Sequence, residues 1–240
     1  MTLNTILDAL FPAGHTVAVA NQVLTGEAQT ALGPVAVLGT TDAAAIDHAM
    51  ALALAGAVLD TVDRHPGRPL VFLVDTSGQA LSRSQELLCL NGSLAHLASC
   101  VDFARRQGHP SLALVTANAV SGGFLSFGLM ADRAYALADA QVRVMDLRAM
   151  ARVTKIAHER LVELAASSPT FAPGAENYQK MGAIAAIWPA PTAILLLEAL
   201  REVAQSRDGG DQRQTLGTAR GGRQLAAGVS GQVQHAVFAG

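Results

Sequence analysis

The stretch from Pro69 to Gly123 reads PLVFLVDTSGQALSRSQELLCLNGSLAHLASCVDFARRQGHPSLALVTANAVSGG. Two apolar runs, Pro69 to Val74 and Ser111 to Thr116, bracket a predicted helix from Ser84 to Gln107 that Gly108 and Pro110 stop. Neither run alternates polar with apolar residues, which is the pattern of strands covered on both faces of a parallel sheet. Strand, helix and strand joined by short connections form a βα crossover, which puts functional loops at the carboxyl ends of the strands. Those ends are Asp75-Thr76-Ser77-Gly78-Gln79 and Asn118-Ala119-Val120-Ser121-Gly122-Gly123.

Upstream, His15 to Val23 and Val35 to Leu38 read as short strands, with turns at Gly26 and Gly33-Pro34. Thr41-Asp42 reads as the cap of a helix whose apolar positions Ile46, Met50, Ala53, Leu54, Ala57 and Val58 recur at three and four. Downstream, the pattern predicts a short helix over Phe124 to Met130 and brief strands at Arg133 to Ala136 and Gln141 to Val144. Further helices follow at His158 to Ala166 and Thr192 to Ala204. From Ser206 the chain is rich in Gly, Gln and Arg with little periodicity. The expected organisation is a domain over residues 1–205 and, over 206–240, a tail or an arm that a partner orders.

With 240 residues, half of them apolar, the chain can bury a full core. A net charge of -2 and the lack of a basic stripe leave no footprint for a nucleic-acid backbone. Membrane spanning is not expected either: Ala49 to Leu59 is too short, and Met181 to Leu197 is interrupted by Pro189 and Pro191. Met1 to Pro12 has the features of no export signal, so a cytoplasmic location is expected. Cys89 and Cys100 share the predicted helix without C-x-x-C spacing and read as two reduced core thiols.

The chemistry concentrates in the two turns. A backbone N–H can act as a catalytic donor when it is free of secondary structure and faces a cleft, and the start of a helix after a strand supplies such groups. Gly122 and Gly123 meet that condition, and glycine lets a carbonyl approach closely. Gly78 and Gln79 stand after the preceding strand. On adjacent parallel strands the two sets would converge on one oxygen, an oxyanion hole worth about 3 kcal/mol per donor. The Ser121 hydroxyl is a further candidate. Ala119 to Gly123 also approximates a nucleophile elbow, so a serine hydrolase built on Ser121 stays open, with His96, His109, His158 and His235 as partners to test. A non-catalytic scaffold is the other reading, suited by the alanine content and the arm. Asp75 reads as a turn-forming side chain, and Asp132-Arg133 and Asp146 with Arg148 as ion pairs behind the active turn.

The segments Leu73 to Gln79 and Ala119 to Phe124, about forty residues apart, resemble the carboxyltransferase subunits of biotin-dependent carboxylases. Ser121 to Asp132, SGGFLSFGLMAD, and Val142 to Ala151, VRVMDLRAMA, resemble more closely the gamma subunit of biotin-independent malonate decarboxylase. The likeness spans roughly Val35 to Trp188. It implies an α/β crotonase-like fold, a spiral of βαβ-type units with parallel sheets flanked by helices. It also implies a beta-subunit partner, an acyl carrier protein subunit and a transferase alpha subunit. The implied reaction converts a malonyl thioester on the carrier to acetyl thioester and carbon dioxide. The implied cofactor state is none bound directly, with the carrier's CoA-derived thiol prosthetic group as the substrate arm and no metal. Matching the turns places Gly122, and Gly78 or Gln79, at the family's oxyanion donors. Leu125 stands where hydratases of the fold carry a glutamate, which goes against water addition and implies an apolar wall with Phe124. The carboxyltransferase turn has more glycines than Asn118-Ala119-Val120, which goes against biotin binding.

Overall fold

The computed structural model describes residues 1–167, 172–205 and 210–238. Helix α1 (Leu3–Leu10) begins at Thr2, whose side chain accepts from the Thr5 amide. Strands β1 (Ala18–Ala20), β2 (Val23–Thr30) and β3 (Gly33–Thr40) form an antiparallel meander, followed by the short β4 (Ala44–Ile46) and α2 (His48–Arg64). Then come β5 (Leu70–Gln79), α3 (Arg83–Leu87), α4 (Leu90–Arg106), β6 (Ser111–Val120) and α5 (Ser121–Phe127). Beyond these lie β7 (Arg133–Leu137), β8 (Gln141–Arg143), α6 (Leu147–Thr154), α7 (His158–Ser167), α8 (Ala175–Lys180), β9 (Ile187–Trp188) and α9 (Ala193–Gln205). The arm carries α10 (Arg213–Ala219) and α11 (Ala226–Phe238).

The sheet runs in the order β1-β2-β3-β5-β6-β7-β9, and the pairs from β3 onward are parallel. Leu70 to Val74 and Leu112 to Val115 are fully buried, at 0% exposure, so both apolar runs are covered on both faces. At their carboxyl ends the neighbours change. Within the same sheet, β4 pairs with β5 and β8 pairs with β6, so the order at these ends is β4-β5-β6-β8. The β5–β6 register shifts between Val74 and Thr76, where two extra residues of β6 bend the strand. Gly39, at φ 145°, lies against the Leu73 carbonyl so closely that an added Cβ would collide with it, so β3 requires glycine there.

Several expectations are corrected. The predicted helix over Ser84 to Gln107 is broken at Cys89, which takes a left-handed conformation (φ 60°) between α3 and α4. Cys89 is consequently exposed and is not a core thiol, while Cys100 is buried and its thiol is pushed up by burial. The α2 cap is Asp47, accepting from the Met50 amide at 2.8 Å, and not Thr41-Asp42, because residues 44–46 first pair with β5. Gly26 lies within β2, where an added Cβ would come 2.6 Å from the Val17 Cα, so it permits close approach and does not turn the chain. Asp132 accepts from the Ser111 amide and hydroxyl at 2.8 and 3.0 Å, and Arg133 faces Glu202 at 3.6 Å. Glu202 also accepts from the Tyr135 hydroxyl at 2.9 Å, tying β7 to α9. Asp146 does not pair with Arg148; it caps α6, and the bond from the Ala149 amide at 2.8 Å lowers its carboxyl below the usual range.

The arm, whose residues 206–209 and 239–240 lie outside the described residues, has two different halves. In α10, Arg213 donates to the carbonyls of Leu129 and Ala131 at 2.8 and 2.5 Å. Just past it, Arg220 donates to those of Gln179, Ile184 and Ala185, all at 2.9 Å. By contrast, α11 has no buried residue. No helix among the described residues is long and apolar enough to cross a membrane.

Candidate active site

The carboxyl ends of β5 and β6 are adjacent, parallel and held by Asp75. Its Oδ2 accepts from the Ala43 amide at 2.9 Å, and its Oδ1 accepts from the Asn118 amide and side chain at 3.0 and 3.1 Å. One carboxylate thus fastens the β3–β4 turn, β5 and the bend of β6, which fits the structural role read from the sequence. One residue on, Thr76 is fully buried, and its hydroxyl donates to the Ala44 carbonyl at 2.7 Å. The same Oγ1 accepts from the Gly78 amide at 3.0 Å.

Helix α5 starts directly from β6. Its N-cap position is Val120, which has no side-chain acceptor, and Ser121, Gly122 and Gly123 form its first turn. First-turn amides have no acceptor within the helix. The Gly122 amide instead donates to the Gln79 side-chain oxygen at 3.1 Å. Gly123 is buried with its Cα against β5: an added Cβ would lie 2.7 Å from Thr76 Oγ1 and 3.0 Å from the Gly78 backbone. Glycine at 123 is therefore what lets the helix start sit on the end of β5. Gly78 needs glycine for a different reason, its φ of 106°.

The structure brings Gly78, Gln79, Ser121, Gly122 and Gly123 into one cluster, as two adjacent strand ends allow. Their amides are not equivalent, since that of Gly78 is engaged by Thr76. Thr76 and the Gln79 side chain were not singled out from the sequence, and Thr two residues before Gly in the β5 turn was the available signal. The Phe124 side chain is 2% exposed and packs into the core, so the expected apolar wall reduces to Leu125, which is exposed, and Leu94 of α4, 3.7 Å from where a Gly122 Cβ would stand.

A family model of the malonate decarboxylase gamma subunit matches residues 40–237. The chain belongs to that family. The match contains both turns, the helix between them and most of the arm. The Malonomonas rubra malonyl-S-ACP:biotin-protein carboxyltransferase MADD is 30% identical over 184 residues, 72% of this chain and 63% of that protein. The chain therefore spans less than two thirds of that relative's length. Among solved structures, a Pseudomonas malonate decarboxylase MdcD-MdcE hetero-dimer matches with a TM-score of 0.76 and 25% identity, covering 95% of this chain and 96% of the other. A Pseudomonas malonate decarboxylase hetero-tetramer in complex with coenzyme A gives 0.77 and 24%, over 95% and 97%. Transcarboxylase 12S, with hydrolyzed methylmalonyl-coenzyme A bound, gives 0.68 and 19%, over 84% of this chain and 40% of that one. The fold of this malonate decarboxylase gamma subunit family member is the crotonase-type carboxyltransferase fold expected from the sequence.

Ser121 sits in this family member's turn with a positive φ of 48°, which costs a non-glycine residue about 1–2 kcal/mol. No histidine hydrogen-bonds to it among the described residues. His96 contacts Cys100 Sγ at 3.6 Å, and His109 is buried against the Arg68 carbonyl at 2.9 Å. His158 opens α7, and His235 is exposed on α11. No group of three or more His, Cys, Asp or Glu side chains among the described residues is arranged to hold a metal ion.

Proposed function

We propose that the chain works with a beta subunit to decarboxylate a malonyl thioester carried on an acyl carrier protein, yielding acetyl thioester and carbon dioxide. When the bond to the terminal carboxylate breaks, its electron pair passes into the thioester as an enolate, and a proton then adds at the α carbon. The task of the site is to hold the negative oxygen, and amide donors aimed at the developing charge do this without reorganising. The Gly122 amide is the leading donor on this chain, with those of Gly123 and Gln79 beside it and Ser121 in the same turn, while the Gly78 amide, held by Thr76 Oγ1, supports the turn. The observation that carries the reading is that the Gly122 N–H is presented to a carbonyl-type oxygen at 3.1 Å in a turn that glycine keeps open.

The acyl group arrives on the carrier's thiol prosthetic group, no cofactor being bound directly, and a transferase alpha subunit loads the carrier. The complex acts in the cytoplasm. Activity requires the complex, because the site is open on this chain alone. Leu81, Leu87 and Leu88, just after β5, and Leu125 on α5 are exposed, leaving apolar surface beside the turns for a partner to cover. The test is to co-express the chain with the subunits encoded beside it and assay carbon dioxide release from malonyl thioester. The complex should turn over while the isolated chain should not. Equal turnover by the isolated chain would remove the shared site, and none from the assembled complex would remove the reaction.

A further inference from the structure

The Gln79 side chain forms a contact that the reaction itself does not call for. Gln79 is the last residue of β5, half-buried, and its Oε1 lies 3.1 Å from the Gly122 nitrogen. A side-chain amide carbonyl is a close electronic match for a thioester carbonyl: a neutral, sp² oxygen that accepts from one N–H. Its atoms lie over the space in front of Gly122, where an added Cβ would be 3.0 Å from Oε1 and 3.5 Å from Cδ. A thioester oxygen bonded to the same amide at hydrogen-bond distance would overlap Oε1.

We propose that the Gln79 side chain is a displaceable cap that occupies the Gly122 amide in the empty site and swings aside when an acyl thioester binds. The inference rests on the function proposed above and specifies how that site is gated. The backbone of Gln79 is held by pairing with β4, through Ile46, so the side chain can rotate while the strand end stays in place. The capped state is a competitor built into the chain, and apparent substrate affinity falls in proportion to the uncapped fraction. The cap also gives the part-buried Gly122 amide an acceptor between turnovers, which an apolar residue at position 79 would not do.

Two substitutions test the cap in the reconstituted complex. Gln79→Ala removes the side chain, and Gln79→Met retains its length and bulk without an amide acceptor, so the pair guards against one variant failing to fold. Each should lower KM for malonyl N-acetylcysteamine by about fivefold, the worth of one neutral hydrogen bond. A bond that merely fastens α5 to β5 would instead lower the melting temperature and kcat and leave KM unchanged or higher, and that result overturns the cap. A readout independent of turnover is the Gly122 amide resonance of the ¹⁵N-glycine-labelled full chain. It should move on Gln79→Met, and an unmoved signal also overturns the proposal. Wild-type complex that releases no carbon dioxide defeats the decarboxylase reading, whereas active wild type with unaltered KM in both variants defeats the cap alone.

Discussion

The ends of β5 and β6 look alike in sequence, each an apolar strand running into small residues and glycine, yet they place their amides differently. At the end of β6 the chain turns at once into α5, whose N-cap residue Val120 offers no side-chain acceptor, and the Gly122 amide donates to Gln79 Oε1 instead. At the end of β5 the chain stays extended through Gln79, and the Gly78 amide turns back onto Thr76 Oγ1. The β6 end is thus built to present a donor, and the β5 end is built to support it: Thr76 and Gly78 form the surface on which Gly123 rests. The oxyanion site proposed above need not be symmetric about its two strands.

Substitutions at the two ends should separate these roles. The largest loss is expected at the β6 end, where Gly122→Val puts a branched side chain into the space now held by Gln79 Oε1. Turnover of malonyl thioester by the complex should fall at least ~100-fold, as for removal of one oxyanion donor, with only a small change in the melting temperature. Gly123→Ala forces a Cβ against Thr76 and Gly78, so α5 must shift. A stability loss of about 1–3 kcal/mol by denaturant unfolding is expected, along with a tens-fold drop in turnover as the donor is displaced. At the supporting end, Thr76→Val leaves the Gly78 amide and Ala44 carbonyl without their buried partner. It should cost about 1–3 kcal/mol in stability and affect turnover less than either glycine change. The smallest effect is expected for Ser121→Ala, which keeps every backbone amide and should reduce turnover about tenfold or less. Abolition of activity by Ser121→Ala, with an acyl-enzyme trapped in the wild type, would replace the donor account with a nucleophilic one.

Much of this arrangement was legible in the sequence because it depends on local rules. Unbroken apolar runs gave β5 and β6, Gly108 and Pro110 marked where α4 ends, and glycines after a strand marked the α5 start. What was not legible depends on partners distant in the chain. Residues 44–46 form a strand only because β5 is there to pair with them, and Gln79 meets Gly122 across forty-three positions. The break falls at Cys89 itself, while the nearby Asn91-Gly92, which would suggest a turn, lies within the first turn of α4. The docking of the arm was hidden for another reason. Its contacts run from the guanidinium groups of Arg213 and Arg220 to backbone carbonyls, which leave no periodic apolar signature. Those same arginines, among Gly and Gln residues with little periodicity, make the segment read as a tail or an arm ordered by a partner.

The central claim concerns one hydrogen on one nitrogen, and it can be tested without altering any side chain. Replacing the Ser121–Gly122 amide with an ester, by incorporating glycolic acid at position 122, removes the N–H and leaves the turn otherwise the same. The account predicts that the reconstituted complex carrying this ester releases carbon dioxide from malonyl thioester about 100-fold more slowly than the native complex, with assembly unaffected. Release within about twofold of the native rate, a difference of less than 1 kcal/mol in the barrier, would contradict it and show that the Gly122 amide does not bear the enolate charge.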